Sequence, residues 1–180
     1  DPNDLQALRN YTELYEYDAA GNFQTIRHVA NGGSWTRGYE YGADSPLETG
    51  RKSNRLTGTT LGNGLNRTET YTYDEHGNTT AMPHLPRLSW DFADRLAGID
   101  LVGGTAAYVY DAAGQRVRKV IASPNGTRRS ERIYLGAFEI YREFDAVGHM
   151  TLRRESLHVL DDKQRIALVE TETTKDGVPV

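Results

Sequence analysis

Along most of the chain apolar and polar residues alternate with a period of two, and turn residues interrupt the alternation at short intervals. In Ala106–Val120, Tyr108 and Tyr110 alternate with Val109, which sets both rings on one face of an extended strand. Asp111 opens a turn, because its carboxylate accepts backbone N–H groups just ahead of it. Gly114 closes the turn, because glycine takes positive φ without steric strain. Val117 and Val120 lie on the return strand among Arg116, Arg118 and Lys119, so one face meets solvent or a polar space. The same pattern predicts strands at Leu14–Asp18, Phe23–Val29, Trp35–Tyr41, Arg55–Leu61, Thr68–Tyr73, Leu88–Phe92 and Arg95–Val102. It predicts further strands at Thr105–Tyr110, Arg132–Leu135, Phe138–Phe144, Met150–Leu160 and Arg165–Thr173.

Between these segments, Asn31-Gly32-Gly33-Ser34, Gly62-Asn63-Gly64, Ser123-Pro124-Asn125-Gly126 and Asp161-Asp162-Lys163-Gln164 read as turns. Gly42–Asn54 reads as a surface loop, and Lys175–Val180 as a polar tail. Pro83 and Pro86 break the sheet or confine their strand to an edge. Leu5 and Leu8 are spaced for a helical turn within Asp4–Leu14, and nothing else asks for a helix of more than a few residues. The fold class is therefore all-β. A closed barrel or sandwich fits this pattern as well as an open sheet does.

The hairpin at Asp111 is written more than once. Tyr15-Glu16-Tyr17-Asp18-Ala19-Ala20-Gly21-Asn22 and Tyr71-Thr72-Tyr73-Asp74-Glu75-His76-Gly77-Asn78 are full copies of Tyr108-Val109-Tyr110-Asp111-Ala112-Ala113-Gly114-Gln115. Phe144-Asp145-Ala146-Val147-Gly148-His149 lacks the first tyrosine. Trp90-Asp91-Phe92-Ala93-Asp94-Arg95-Leu96 has Asp94 where glycine belongs. Tyr39-Glu40-Tyr41-Gly42 reads as a copy whose aspartate has become glycine. The later spacings fit a unit of roughly 17–20 residues, one β-hairpin, with one worn copy between Asp111 and Asp145. An array of hairpins favours a long sheet that coils over a barrel.

Y-x-Y-D-x-x-G-[NQ] resembles the YD repeat of Rhs proteins, of the BC component of bacterial insecticidal Tc toxins, and of animal teneurins. Met82-Pro83-His84-Leu85-Pro86 before Leu88-Ser89-Trp90-Asp91 resembles the bacterial Tc/Rhs branch, as do Arg132-Ile133-Tyr134-Leu135-Gly136 and Leu157–Ala167. The resemblance covers nearly the whole chain. It implies a single repeat segment over residues 1–180, part of a large coiled β-sheet that closes into a hollow shell around a toxic effector domain. It implies as partners the remaining shell segments of the parent protein and the enclosed toxin domain, and a secreted or cell-exported bacterial protein. The repeat residues Tyr15, Tyr17, Asp18, Gly21, Tyr71, Tyr73, Asp74, Gly77, Tyr108, Tyr110, Asp111, Gly114, Asp145 and Gly148 are then structural. The family also keeps a self-cleaving aspartate site at the end of the shell. No segment matches it, the chain is expected to stop short of it, and no catalytic residue is carried over.

Composition agrees with an array. Only 37% of residues are hydrophobic and 18 are glycine, a low apolar share for a self-contained globule. Repeat units bury their faces against neighbours instead. Tyrosine outnumbers phenylalanine 11 to 4, and tyrosine sits well half-buried, ring packed and hydroxyl wet. The net charge of −4, with signs mixed, gives no reason for a nucleic-acid or membrane partner. Absence of cysteine excludes disulfides and thiolate metal sites. No apolar run is long enough for a transmembrane helix. Asp1-Pro2-Asn3-Asp4 is no signal peptide, and the chain reads as a piece of a longer protein.

Candidate chemistry is thin. Asp18, Asp74, Asp111 and Asp145 are possible ligands or acid–base groups, yet each stands where a turn needs aspartate. The tyrosines are able to stack sugars or bases, although their place before each turn fits ladder packing between strands. His28, His76, His84, His149 and His158 show no pair at metal spacing. Asp91 and Asp94 are close in sequence but expected to face different ways, with Arg95 the simpler partner of Asp94. No nucleophile elbow, phosphate loop or zincin motif is present, and no cofactor is implied. The expected role is structural and non-enzymatic. The rivals are a carbohydrate-binding or adhesion module on the tyrosine face, and a glycosidase, which needs two facing carboxylates about 5–10 Å apart.

Overall fold

In a computed structural model, residues 10–62, 67–162 and 164–180 are described. They contain strands and turns and no helix. Two compact units divide at Pro83/His84. The first holds β1 (Tyr11–Tyr17), β2 (Phe23–Ala30), β3 (Trp35–Glu40), β4 (Gly58–Gly62) and β5 (Arg67–Thr70) in one antiparallel sheet. It also holds the ribbon of β6 (Thr72–Tyr73) and β7 (Thr79–Ala81). The second unit is one nine-stranded antiparallel meander. It runs through β8 (Arg87–Trp90), β9 (Leu96–Leu101), β10 (Gly104–Tyr110), β11 (Arg116–Ala122), β12 (Arg128–Leu135), β13 (Phe138–Phe144), β14 (Met150–Leu160), β15 (Arg165–Lys175) and β16 (Val178–Pro179). Each strand pairs with its chain neighbours, and the sheet does not close on itself as a barrel does.

The helical turn expected near Leu5 and Leu8 lies outside the described residues up to Asn10; from Tyr11 the chain is strand. Asn63 and Gly64 of one expected turn, and Lys163 of another, also lie outside them. Two expectations are corrected. Lys175–Val180 is not a tail: Val178 and Pro179 pair back onto Lys175 and Thr174. The cause is Asp176-Gly177, with φ of 50° and 80°, the double positive φ that a two-residue hairpin turn requires. Tyr39-Glu40-Tyr41-Gly42 does not build the aspartate turn. Gly42 N–H donates to Thr57 Oγ1, and a wide loop pinned by Lys52 Nζ on Asp44 at 2.6 Å leads to β4.

Few apolar side chains are buried. Leu88 and Ala106 are, beside the polar Thr59, Glu69, Glu131, Ser156 and Thr174. Tyr17, Val109, Leu135 and Val169 remain about half exposed. Single sheets with two accessible faces leave polar side chains on central strands shielded by their neighbours, so burial follows position in the sheet rather than hydrophobicity.

Candidate functional site: aspartate turns and a two-faced sheet

Five aspartates close five turns in one way. The N–H of Asp18, Asp74, Asp91, Asp111 and Asp145 donates to the carbonyl oxygen four residues on, at 2.9–3.0 Å. The N–H three residues on returns to the aspartate carbonyl at 3.0–3.1 Å. The N–H four residues on donates to the aspartate Oδ1, for example Asn22 to Asp18 at 2.8 Å and Gln115 to Asp111 at 2.9 Å. The third residue is in the left-handed region in every case: Gly21 (86°), Gly77 (96°), Gly114 (80°), Gly148 (93°), and Asp94 at 55°. Asp94 therefore occupies a glycine position. Arg95 pairs with Asp91, Nε to Oδ2 at 2.8 Å.

A second regularity escaped the sequence. Six residues after each turn aspartate the return strand carries one unmatched residue: Gln24, Thr80, Ala97, Val117 and Thr151. Ser123 repeats the form. Its N–H donates to Thr127, Gly126 follows at 84°, and Arg129 is the unmatched residue. Asn125 Oδ1 accepts the Thr127 N–H in place of the missing carboxylate. Ser123 is thus the worn copy between Asp111 and Asp145. Such bulges bend a strand and sharpen its right-handed twist, here at the same point of six hairpins.

The turn carboxylates are acceptors already in use. Asp18 is held below the ordinary carboxylate range, first by the Asn22 side chain and then by the Asn22 backbone N–H. For Asp74 desolvation pushes up, and the Asn78 side chain and backbone outweigh it. Asp91 and Asp145 are likewise pushed up by desolvation and brought lower overall by backbone N–H groups, with Arg95 helping the first and His149 the second.

Two of the tyrosines that precede a turn reach back to a backbone carbonyl earlier in the chain. Tyr110 Oη donates to the Leu96 carbonyl at 2.9 Å, and Tyr73 Oη to the Leu56 carbonyl at 2.8 Å. An arginine adjoins each acceptor: Arg95 lies 5.1 Å from the Tyr110 ring centre and Arg55 5.7 Å from that of Tyr73. Burial raises the Tyr73 phenol. Tyr108 shares Arg116 with Tyr134, at 5.6 and 5.1 Å, and Tyr141 lies between Arg132 and Arg154. The tyrosines form a cross-strand ladder alternating with guanidinium groups. Tyr71 contributes its backbone N–H to Thr57 at 3.1 Å. In the first hairpin Tyr15 and Tyr17 pack instead on Phe23, and Tyr15 donates to Glu13. Tyr11, His28 and Trp35 continue this aromatic surface, the last two stacked at 5.4 Å.

The opposite face of the meander carries a different cluster. Register places Glu131 between Val120 and Arg142 on neighbouring strands. Its side chain is 2% exposed and receives Arg118, Arg128 and Arg142 at 2.5, 3.1 and 3.1 Å. Desolvation pushes Glu131 up, but Arg118 and its companions hold it below the ordinary range. Among the described residues no group of three or more acidic, histidine or cysteine side chains is arranged to hold a metal ion. Among the described residues no helix is long and apolar enough to cross a membrane.

No family model matches the chain. It is similar to toxin subunit YenC1 of Yersinia entomophaga, 30% identical over an alignment 148 positions long that covers 77% of this chain and 14% of that protein. The chain therefore spans about a seventh of the length of this relative.

Proposed function

We propose that the chain, related to a Tc-type toxin subunit, is a non-catalytic wall segment of a toxin shell that encloses an effector domain of the parent protein. The observation that carries this reading is the bulged turn, built six times with one backbone hydrogen-bond pattern, five times on an aspartate and once on Ser123. A twist added at the same point of successive hairpins coils a sheet in one sense, and a coiled meander with two accessible faces suits a wall. The turn carboxylates spend their acceptor capacity on backbone N–H groups, which favours structure over acid–base work. Remaining shell segments and the effector are its partners, in a secreted or exported bacterial toxin. Limited proteolysis of the parent protein tests this. We expect the effector to resist cleavage until the wall is opened, and deletion of the β10–β11 hairpin to expose it. Equal cleavage with and without that hairpin would refute the reading.

The aromatic surface of Tyr11, Tyr15, Phe23, His28 and Trp35 supports a second reading, a carbohydrate-binding or adhesion module. Aromatic ring faces stack on sugars. A glycan-array screen decides it: a defined glycan lost on Trp35→Ala would favour adhesion, and no binding would remove it.

A further inference from the structure

Glu131 holds more arginine than a carboxylate needs. Three guanidinium charges meet one carboxylate, an excess of two positive charges in a chain whose net charge is −4. A partly buried glutamate elsewhere in the same sheet is held with less: Glu139 is paired with one arginine, Arg132, and with His158. Arg118 reaches Glu131 through Nε and Nη2, whereas Arg128 and Arg142 each offer Nη1. A guanidinium has five N–H donors, so each arginine keeps donors beyond those spent on Glu131. Their side chains are 45, 40 and 28% exposed, so all three remain open to solvent in part. Arg128 is also seated over the Phe144 ring at 4.0 Å, which fixes the plane of its fork. The neighbouring Arg153 is neutralised by Glu155 at 2.6 Å and adds no charge of its own.

We propose that this face of the sheet binds an extended, acidic polypeptide segment through Arg118, Arg128 and Arg142. Glu131 then acts as a positioning residue that gathers three forks, and the surplus charge is matched by carboxylates of the bound chain. Guanidinium forks recognise carboxylates in bidentate geometry. The arginines stand on three adjacent strands, which lie about 4.8 Å apart. Same-side residues of an extended chain recur every ~6.6 Å, so successive glutamates reach different arginines. Ile133 and Ile140 pair across β12 and β13 beside the cluster, apolar ground that suits a polypeptide better than a small anion. The inference concerns this face alone and holds whether or not the sheet belongs to a shell.

The test uses the whole chain and a fluorescein-labelled ten-residue peptide alternating glutamate and valine, read by anisotropy. We expect saturable binding that weakens between roughly 50 and 300 mM salt, the range over which exposed charges become screened. The peptide with lysine in place of glutamate should not bind. Arg118→Gln and Arg128→Gln should each weaken binding about tenfold, corresponding to ~1.4 kcal/mol, and Arg87→Gln, on the distant β8, should leave it unchanged. Equal binding of the lysine peptide, displacement by millimolar inorganic phosphate, or tighter binding of single-stranded DNA would each overturn the proposal. Those arms need no variant, so they decide the matter even if a substitution unfolds the sheet.

Discussion

Arg95 crosses from its own turn to the next one: Nη1 donates to the carbonyl oxygen of Asp111 at 3.0 Å. Its Nε stays on Asp91 of its own turn at 2.8 Å, and its guanidinium lies over the Tyr110 ring. One side chain thus ties two consecutive aspartate turns, with Arg95 sixteen residues before Asp111. Removing it leaves a turn carboxylate and a tyrosine face without their cation. Arg95→Ala should destabilise the chain by about 1–2 kcal/mol. Arg95→Lys should recover only part, because an ammonium lacks the planar fork. Denaturant midpoints measure both, and an unchanged midpoint for Arg95→Ala would remove the linking role.

Gly104 and Gly114 separate two reasons for glycine. A Cβ on Gly104 would lie 1.9 Å from the Ala122 carbonyl oxygen, so backbone must move. At Gly114 the nearest atom is Arg95 Nη1 at 3.9 Å, and only the φ of 80° opposes a side chain. Gly114→Ala should therefore cost about 1 kcal/mol and Gly114→Asn less. Gly104→Ala should cost at least ~3 kcal/mol. Similar losses in thermal unfolding for the two alanine variants would contradict the distinction.

Asp94 holds a left-handed φ of 55° where the other aspartate turns hold glycine. Asp94→Gly should relieve that strain and stabilise the chain by up to about 1 kcal/mol. A lower melting temperature would mean that the contacts of the Asp94 side chain outweigh the strain.

The turn aspartates make stability depend on acid. Asp18, Asp74, Asp91 and Asp145 all have folded-state values below their unfolded ones. Their contribution is complete above the unfolded value, near 3.9, and is lost as pH falls through the lower folded values. Unfolding midpoints should be flat from about pH 7 to 5 and then fall toward pH 2. Asp74→Asn keeps an Asx-type turn without the charge, so the chain should still fold, with a shallower acid limb. An acid limb as steep as that of the unsubstituted chain would refute the contribution of Asp74.

Glu131 is buried beneath Arg118, Arg128 and Arg142. Glu131→Ala removes their shared acceptor and leaves three like charges together, partly open to solvent, and should cost about 1–3 kcal/mol. Glu131→Gln keeps the shape and should cost less. If Glu131→Ala melted like the unsubstituted chain, the arginines would not depend on Glu131.

The strand pattern and the aspartate turns were legible because their causes are local. Alternation sets faces within a strand, and the backbone and carboxylate bonds that close the Asp111 turn itself span at most four residues. The Asp176-Gly177 hairpin is equally local, since Asp-Gly is itself a hairpin signal and outweighs the polar character of the segment. The bulge residues Gln24, Ala97 and Val117 carry no signature of their own, since any side chain can stand unmatched when the turn has set the offset. Glu131 and its arginines come together only through register, with Arg118 thirteen residues before Glu131 and Arg142 eleven after it. Along the sequence they are a few charges among many. The tertiary structure decided that three of them converge on one buried carboxylate, because pairing of β11, β12 and β13 places them side by side on one face.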